Sequence, residues 1–191
     1  MGFLDALLGK RKVAGAAAKN TLFALTTAYV GLEAGQGITT RGTAGIMFQP
    51  LATGDFQTIV SEMEEVLRST GEETGSTVET HEDTFGYRWI IIRDPDIEDL
   101  VVGVNAVNDG LEVGGYKDRV LAAVFGFQDR ESKPLYFIYN VKRGFWYPFV
   151  PAPGDKQRNT ERELQIKAAI GEDLPFEPEL ERWFPLWGIP I

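Results

Sequence analysis

The sequence predicts an α+β domain, with one antiparallel sheet of five or six strands and helices packed mainly on one face. Three observations carry this. Runs rich in β-branched and aromatic residues come in neighbouring pairs joined by short polar turns, the hairpin pattern. Segments with apolar residues every three or four positions stand between those pairs, the helix pattern. The 191 residues are 43% apolar and 12% aromatic, enough for one sizeable core and too apolar for disorder. No internal repeat or second-domain linker is visible. The expected organisation is a basic leader and small-residue linker over 1–19, including the Ala14–Ala18 run, and a single α+β domain over 20–191.

Taken in order, Thr21–Glu33 places Leu22, Phe23, Leu25, Tyr29 and Leu32 in a rough helical pattern closed by Gly35-Gln36-Gly37. Thr43–Gln49, stopped by Pro50, reads as a strand built on Ile46-Met47-Phe48. Asp55 can cap the next helix, whose apolar face is Phe56, Ile59, Val60, Met63 and Leu67, with Gly71 as its stop. Thr77–His81 and Gly86–Arg93 form a hairpin, and Trp89-Ile90-Ile91-Ile92 is apolar enough to be central. Asp94-Pro95 reads as a cap followed by proline at the first helical position. The helix after it buries Ile97, Leu100, Val101, Val104, Val107 and Leu111 and stops at Gly114-Gly115. Arg119–Gln128 and Pro134–Lys142 make a second hairpin, and Phe145–Val150 is a further extended piece. The last helix spans about Lys156 to Ile170, with Thr160 and Glu163 spaced as a capping box. Beyond Gly171 the chain is punctuated by proline.

Composition narrows the chemistry. There is no cysteine, so disulfides, thiolate metal sites and cysteine nucleophiles are excluded, and one histidine excludes paired-imidazole reactions. The net charge of −9 has the wrong sign for sequence-general nucleic-acid binding. No apolar run approaches the roughly 18 residues that cross a bilayer. No catalytic constellation emerges, and the expectation is a protein that is not an enzyme and needs no cofactor or metal. His81 reads as an exposed turn histidine, and no serine lies in a strand–turn–helix nucleophile setting. Asp94, Asp96, Glu98 and Asp99 suit a helix start, where the dipole favours acids, better than a cation site. No glycine group matches a phosphate loop or dinucleotide fingerprint.

Charge is unevenly placed. Residues 55–99 carry thirteen carboxylates against three arginines, whereas Lys10, Arg11, Lys12 and Lys19 face only Asp5 over 1–20. Phe3, Leu4, Leu7 and Leu8 form one stripe of a short helix that runs into Lys10, Arg11 and Lys12. An apolar stripe with a basic end suits an anionic membrane surface, and these seven residues are the candidate membrane contacts. Packing on the domain or on a partner is the alternative use of the same stripe. Aromatics crowd cations twice, in Lys142-Arg143-Gly144-Phe145-Trp146-Tyr147 and in Arg182-Trp183-Phe184-Pro185-Leu186-Trp187. Arg, Trp and Tyr dominate interface hot spots, so Lys142, Arg143, Phe145, Trp146, Tyr147, Arg182, Trp183 and Trp187 are the candidate partner-binding residues. Completion of the core is the other reading of both stretches.

Three stretches together resemble the PspA-associated proteins of the PspAB type. They are the opening Met1–Lys12, the block Lys142-Arg143-Gly144 with Tyr147-Pro148-Phe149, and the ending Arg182–Gly188. Phe85-Gly86 and Arg93-Asp94-Pro95 extend the similarity nearly end to end. The resemblance implies a cytoplasmic accessory protein of the phage-shock (membrane-stress) response, and the basic leader would hold it peripherally at the inner face of the cell membrane. Its implied partners are a PspA-like coiled-coil protein or an HtpX-type membrane protease, and it implies no catalytic residues. A rival expectation is a chaperone-like or small-molecule-responsive binding module, because the helix–hairpin order is loosely similar to YbjN and secretion-chaperone folds.

Overall fold

The computed structural model describes residues 16–191, with side chains from Thr21 onward except at 72–74. The candidate membrane contacts Phe3, Leu4, Leu7, Leu8, Lys10, Arg11 and Lys12 lie outside the described residues. Four helices are present among these residues: α1 (Ala16–Gly31), α2 (Gly54–Thr74), α3 (Ile97–Val113) and α4 (Thr160–Ile170). The strands are β1 (Thr39–Phe48), β2 (Thr77–Glu82), β3 (Arg88–Arg93), β4 (Val120–Gln128), β5 (Pro134–Asn140) and β6 (Phe145–Phe149). They form one six-stranded sheet in the order β2-β3-β1-β4-β5-β6, antiparallel at every pairing. Two short strands, β7 (Pro151–Ala152) and β8 (Gln157–Arg158), pair beside it.

Period-2 alternation splits each strand between two apolar layers. Ile46, Ile90, Phe125, Phe137 and Trp146 face all four helices in the larger core. Met47, Trp89, Val124, Ile138 and Tyr147 face the other way, into a second layer that includes Trp183 and packs against Leu186, Trp187, Ile189 and Ile191. Helices therefore cover one face, as expected, while the proline-rich tail covers the other.

Several boundaries differ from the sequence reading, each for a local reason. The first helix reaches back to Ala16, into the small-residue run read as a linker, because alanine is the best helix former. Asp55 lies inside α2, whose cap position is Thr53. Helix α2 also runs through Gly71 and stops at Gly75, which takes the left-handed conformation at φ +91°. Gly71 is needed for packing instead, since a Cβ there would lie 2.6 Å from the Ser76 carbonyl oxygen. The cap of α3 is Asp96, which accepts from the Glu98 N–H at 2.8 Å. Asp94 stands two residues earlier and accepts from Asp96 N–H (2.8 Å) and Ser76 Oγ (2.5 Å). The buried face of α3 is the expected one, with Gly110 added. At the last helix the capping box does not form. Asn159 caps α4 by accepting from Arg162 N–H, and Glu163 turns inward.

Candidate functional site

The two aromatic–basic stretches meet at the β6 edge of the sheet. The tail pairs with this edge: Trp146 N–H donates to the Pro175 carbonyl (2.9 Å) and Glu177 N–H donates to the Trp146 carbonyl (2.8 Å). The turn at 141–144 between β5 and β6 closes with Gly144 at φ +72° and projects Lys142 and Arg143 outward. Arg143 then reaches across to the tail. Its guanidinium grips Glu177 with two hydrogen bonds, Nε to Oε2 at 2.5 Å and a terminal nitrogen to Oε1 at 3.0 Å. Such a fork is the strongest form of ion pair. Glu179 lies between Arg143 (3.3 Å) and Arg182 (2.8 Å), extending the network along the surface.

The Glu177 side chain is only 2% exposed. The hydrogen bond from Arg143 holds its carboxyl below the usual value of 4.5 against the opposing effect of burial, and the same pairing raises Arg143. Because the folded value is depressed, the pair stabilises the docked tail above about pH 4.5 and loses that effect as pH falls through the folded value. Indole fluorescence of the tail is therefore expected to shift below pH 4.5. Glu177→Gln should abolish that acid step, and an unchanged titration in the variant would refute the assignment.

A second anchor lies deeper. Glu163, fully buried, accepts from both Arg158 Nε (3.1 Å) and its terminal nitrogen (2.7 Å), and from the Val150 N–H (2.9 Å). Arg158 completes the set by donating to the Trp183 carbonyl at 2.6 Å. The Arg158 guanidinium also sits 5.7 Å from the Phe149 ring centre, and Lys167 Nζ lies 5.5 Å from that of Trp183. Two arginine–glutamate pairs thus clamp the tail where it turns from the edge onto the second face.

The structure sorts the candidate partner-binding residues into two groups. Lys142, Arg143 and Arg182 are exposed, and Phe145 is half-buried with Arg143 5.9 Å from its ring centre. Trp146 (0%), Tyr147 (4%) and Trp183 (4%) are core residues, which corrects the expectation that they present a binding surface. Trp146 packs 5.0 Å from Tyr139 and donates its indole N–H to the Thr21 carbonyl at 2.7 Å. Trp183 donates its own to the Glu177 carbonyl at 3.0 Å. Burial pushes the Tyr147 phenol far above its usual value, against the Arg158 charge that lowers it. Trp187 is half-buried, edge-on to Phe149 at 5.0 Å. Sequence reasoning missed Glu177 altogether and read Glu163 only as half of a capping box. A signal existed for the second: Glu163, Ile166 and Ile170 share one helical face, so a carboxylate inside an apolar stripe called for a buried cation.

Asp83 also has a structural role. Burial would raise the Asp83 carboxyl, but the Trp89 indole and the N–H groups of Tyr87 and Phe85 together hold it lower, at the tip of the β2–β3 hairpin. His81 is exposed on β2. Among the described residues no group of three His, Asp or Glu is placed to hold a metal ion. None of the described helices is long and apolar enough to cross a membrane.

Comparison with known families decides the affiliation: residues 1–191 match the family described as PspA associated protein B. The chain belongs to the PspAB family. The match covers the exposed turn, the clamped tail and the opening segment alike, so the PspAB description applies to the whole chain and not to one module of it. No curated protein and no solved structure matches this PspAB chain, so the family is the source of functional context.

Proposed function

We propose that this chain works by binding rather than by catalysis, as an accessory protein of a PspA-type envelope-stress response with a PspA-like coiled-coil protein as its partner. The observation that carries the reading is the end-to-end match to a family described by its association with PspA. The exposed turn at 141–144 supports it. Lys142 presents an exposed cation on one edge of an otherwise acidic protein, and Arg143 and Arg182, held by Glu177 and Glu179, fix the shape of that edge. Preorganised charge of this kind favours an acidic helical surface and its rapid capture. An HtpX-type protease is the other candidate partner and would be reached through the same edge.

Titration calorimetry with a purified PspA-like coiled-coil protein from the same host tests the reading. Binding is expected, and Lys142→Glu should weaken it at least tenfold with Tm unchanged. Arg143→Glu is unsuitable for this purpose, because it would put a second carboxylate against buried Glu177. Absence of binding by the folded chain would overturn the reading. The leader adds a membrane arm: Phe3, Leu4, Leu7 and Leu8 with Lys10, Arg11 and Lys12 would bring the protein to anionic lipid at the cytoplasmic face. Flotation with anionic vesicles that survives deletion of residues 1–12 would remove that arm from the proposal.

A further inference from the structure

The two edges of the sheet end differently. At β6 the edge is paired, because Trp146 bonds through both its N–H and its carbonyl to Pro175 and Glu177 of the tail. Strand β2, at the other edge, pairs only with β3. The ladder fixes which of its backbone groups are used. Asp83 N–H donates to the Tyr87 carbonyl within the hairpin, and Asp94 N–H donates to the Gly42 carbonyl in β1. Direction alternates residue by residue along an antiparallel strand, so Thr77, Glu79 and His81 bond to β3. Val78, Thr80 and Glu82 therefore turn their N–H and C=O groups outward, and no hydrogen bond from the other described residues reaches them. Thr80 and Glu82 are also exposed on the helix side, so α2 does not overhang this stretch.

A bare edge is a template for a further strand, and proteins ordinarily blunt it with proline, lysine or a bulge. Strand β2 has none of these, and its register with β3 runs unbroken from Thr77 to Glu82. Its side chains Glu79, His81 and Glu82 select what fits. In an antiparallel pair of identical strands about a two-fold axis, one residue faces its own copy. With Thr80 at the axis, Glu79 faces His81 at two places, Val78 faces Glu82 at two places, and every outward N–H and C=O of β2 finds a partner. Arg93 occupies one carboxylate oxygen of Glu79, which leaves the other for His81 of the second copy. The neighbouring registers fail. An axis at Glu79 or Glu82 sets that carboxylate against itself, and an axis at His81 sets Glu79 against Asp83. An axis at Val78 carries Thr80 past the strand end to Ser76. We infer that the β2 edge is a docking site for a second copy of this chain, joined β2 to β2 in the register centred on Thr80.

Sedimentation equilibrium of the full-length chain tests this at about 0.15 M salt, which screens the net charge of −9 on each copy beyond roughly 8 Å. A reversible monomer–dimer equilibrium is expected. Thr80→Pro should weaken it at least tenfold with little change in Tm, because the N–H it removes lies outside the β3 ladder. A chain that stays monomeric at millimolar concentration overturns the proposal, as does a dimer that folded Thr80→Pro leaves unchanged. A second readout does not depend on the proline being tolerated. The chain has no cysteine, and hydrogen-bonded opposite residues lie about 5.5 Å apart at Cα, within disulfide reach. Thr80→Cys should give a disulfide-linked dimer under oxidised glutathione. Thr77→Cys, also exposed, should not, since Thr77 faces Asp83 in that register. Equal linking of the two variants, or linking of neither, overturns the proposal. A monomeric chain that binds a peptide alternating lysine and valine, with the binding lost in Thr80→Pro, would assign the edge to another protein's strand and overturn the second copy as occupant.

Discussion

Truncating Trp146 to alanine is expected to destabilise the protein by about 3–5 kcal/mol, the range for a fully buried tryptophan. The side chain is 0% exposed and its ring centre lies 5.6 Å from Phe125 and 5.0 Å from Tyr139. Removing it leaves a cavity between α1 and β6 and orphans the Thr21 carbonyl that accepts its N–H. For a chain of this size the corresponding fall in Tm is on the order of 10 °C. Urea unfolding of Trp146→Ala measures the loss directly. A loss below about 1 kcal/mol would place the residue at the surface and restore it as a partner contact.

Glu163→Ala should cost about 3 kcal/mol, the lower end of the range for breaking a buried ion pair. The lower end applies because Arg158 keeps 23% side-chain exposure and can recover some water. The Val150 N–H loses its acceptor as well, so β6 and the start of α4 should loosen together. The double variant Arg158→Leu/Glu163→Leu should recover much of the loss, since no unpaired charge remains inside. Recovery should be incomplete, because Arg158 also donates to the Trp183 carbonyl. Additive losses in the double variant would show that the two residues do not act as a pair.

How far the sequence could be read depended on whether an element's environment is encoded locally. Helix α3 was legible residue by residue, because a 3.6 period puts Ile97, Leu100, Val101, Val104, Val107 and Leu111 on one side whatever lies opposite. The hairpins β2–β3 and β4–β5 were legible for the same reason, their pairing being set by short turns. Caps were misplaced by one or two residues at α3 and α4, where Asp94 competes with Asp96 and Thr160 with Asn159 for the same role. Strand β1 starts at Thr39, four residues before its predicted start, because its register shift at Thr40/Thr43 breaks the alternation that marks a strand.

The candidate site was legible only in part. Its exposed members, Lys142, Arg143 and Arg182, stand out as cations beside aromatics. Their partners Glu177 and Glu179 are 34 and 36 residues from Arg143 along the chain, and no local pattern joins them. The fate of the aromatics was equally hidden. Alternation along β6 says that Trp146 and Tyr147 point opposite ways, but a strand with one solvated face and a strand buried on both faces share that alternation.

The sequence by itself determined the class of the fold, the face that α3 buries, the pairing of the hairpins and membership of the PspAB family. Tertiary structure alone decided that the second sheet face is closed, that Trp146, Tyr147 and Trp183 are core, and that Glu163 and Glu177 are clamps. The physical reason is range. Periodicity and turn chemistry act over a few residues, whereas these outcomes depend on a tail that pairs with β6 and folds back over strands as distant as β1.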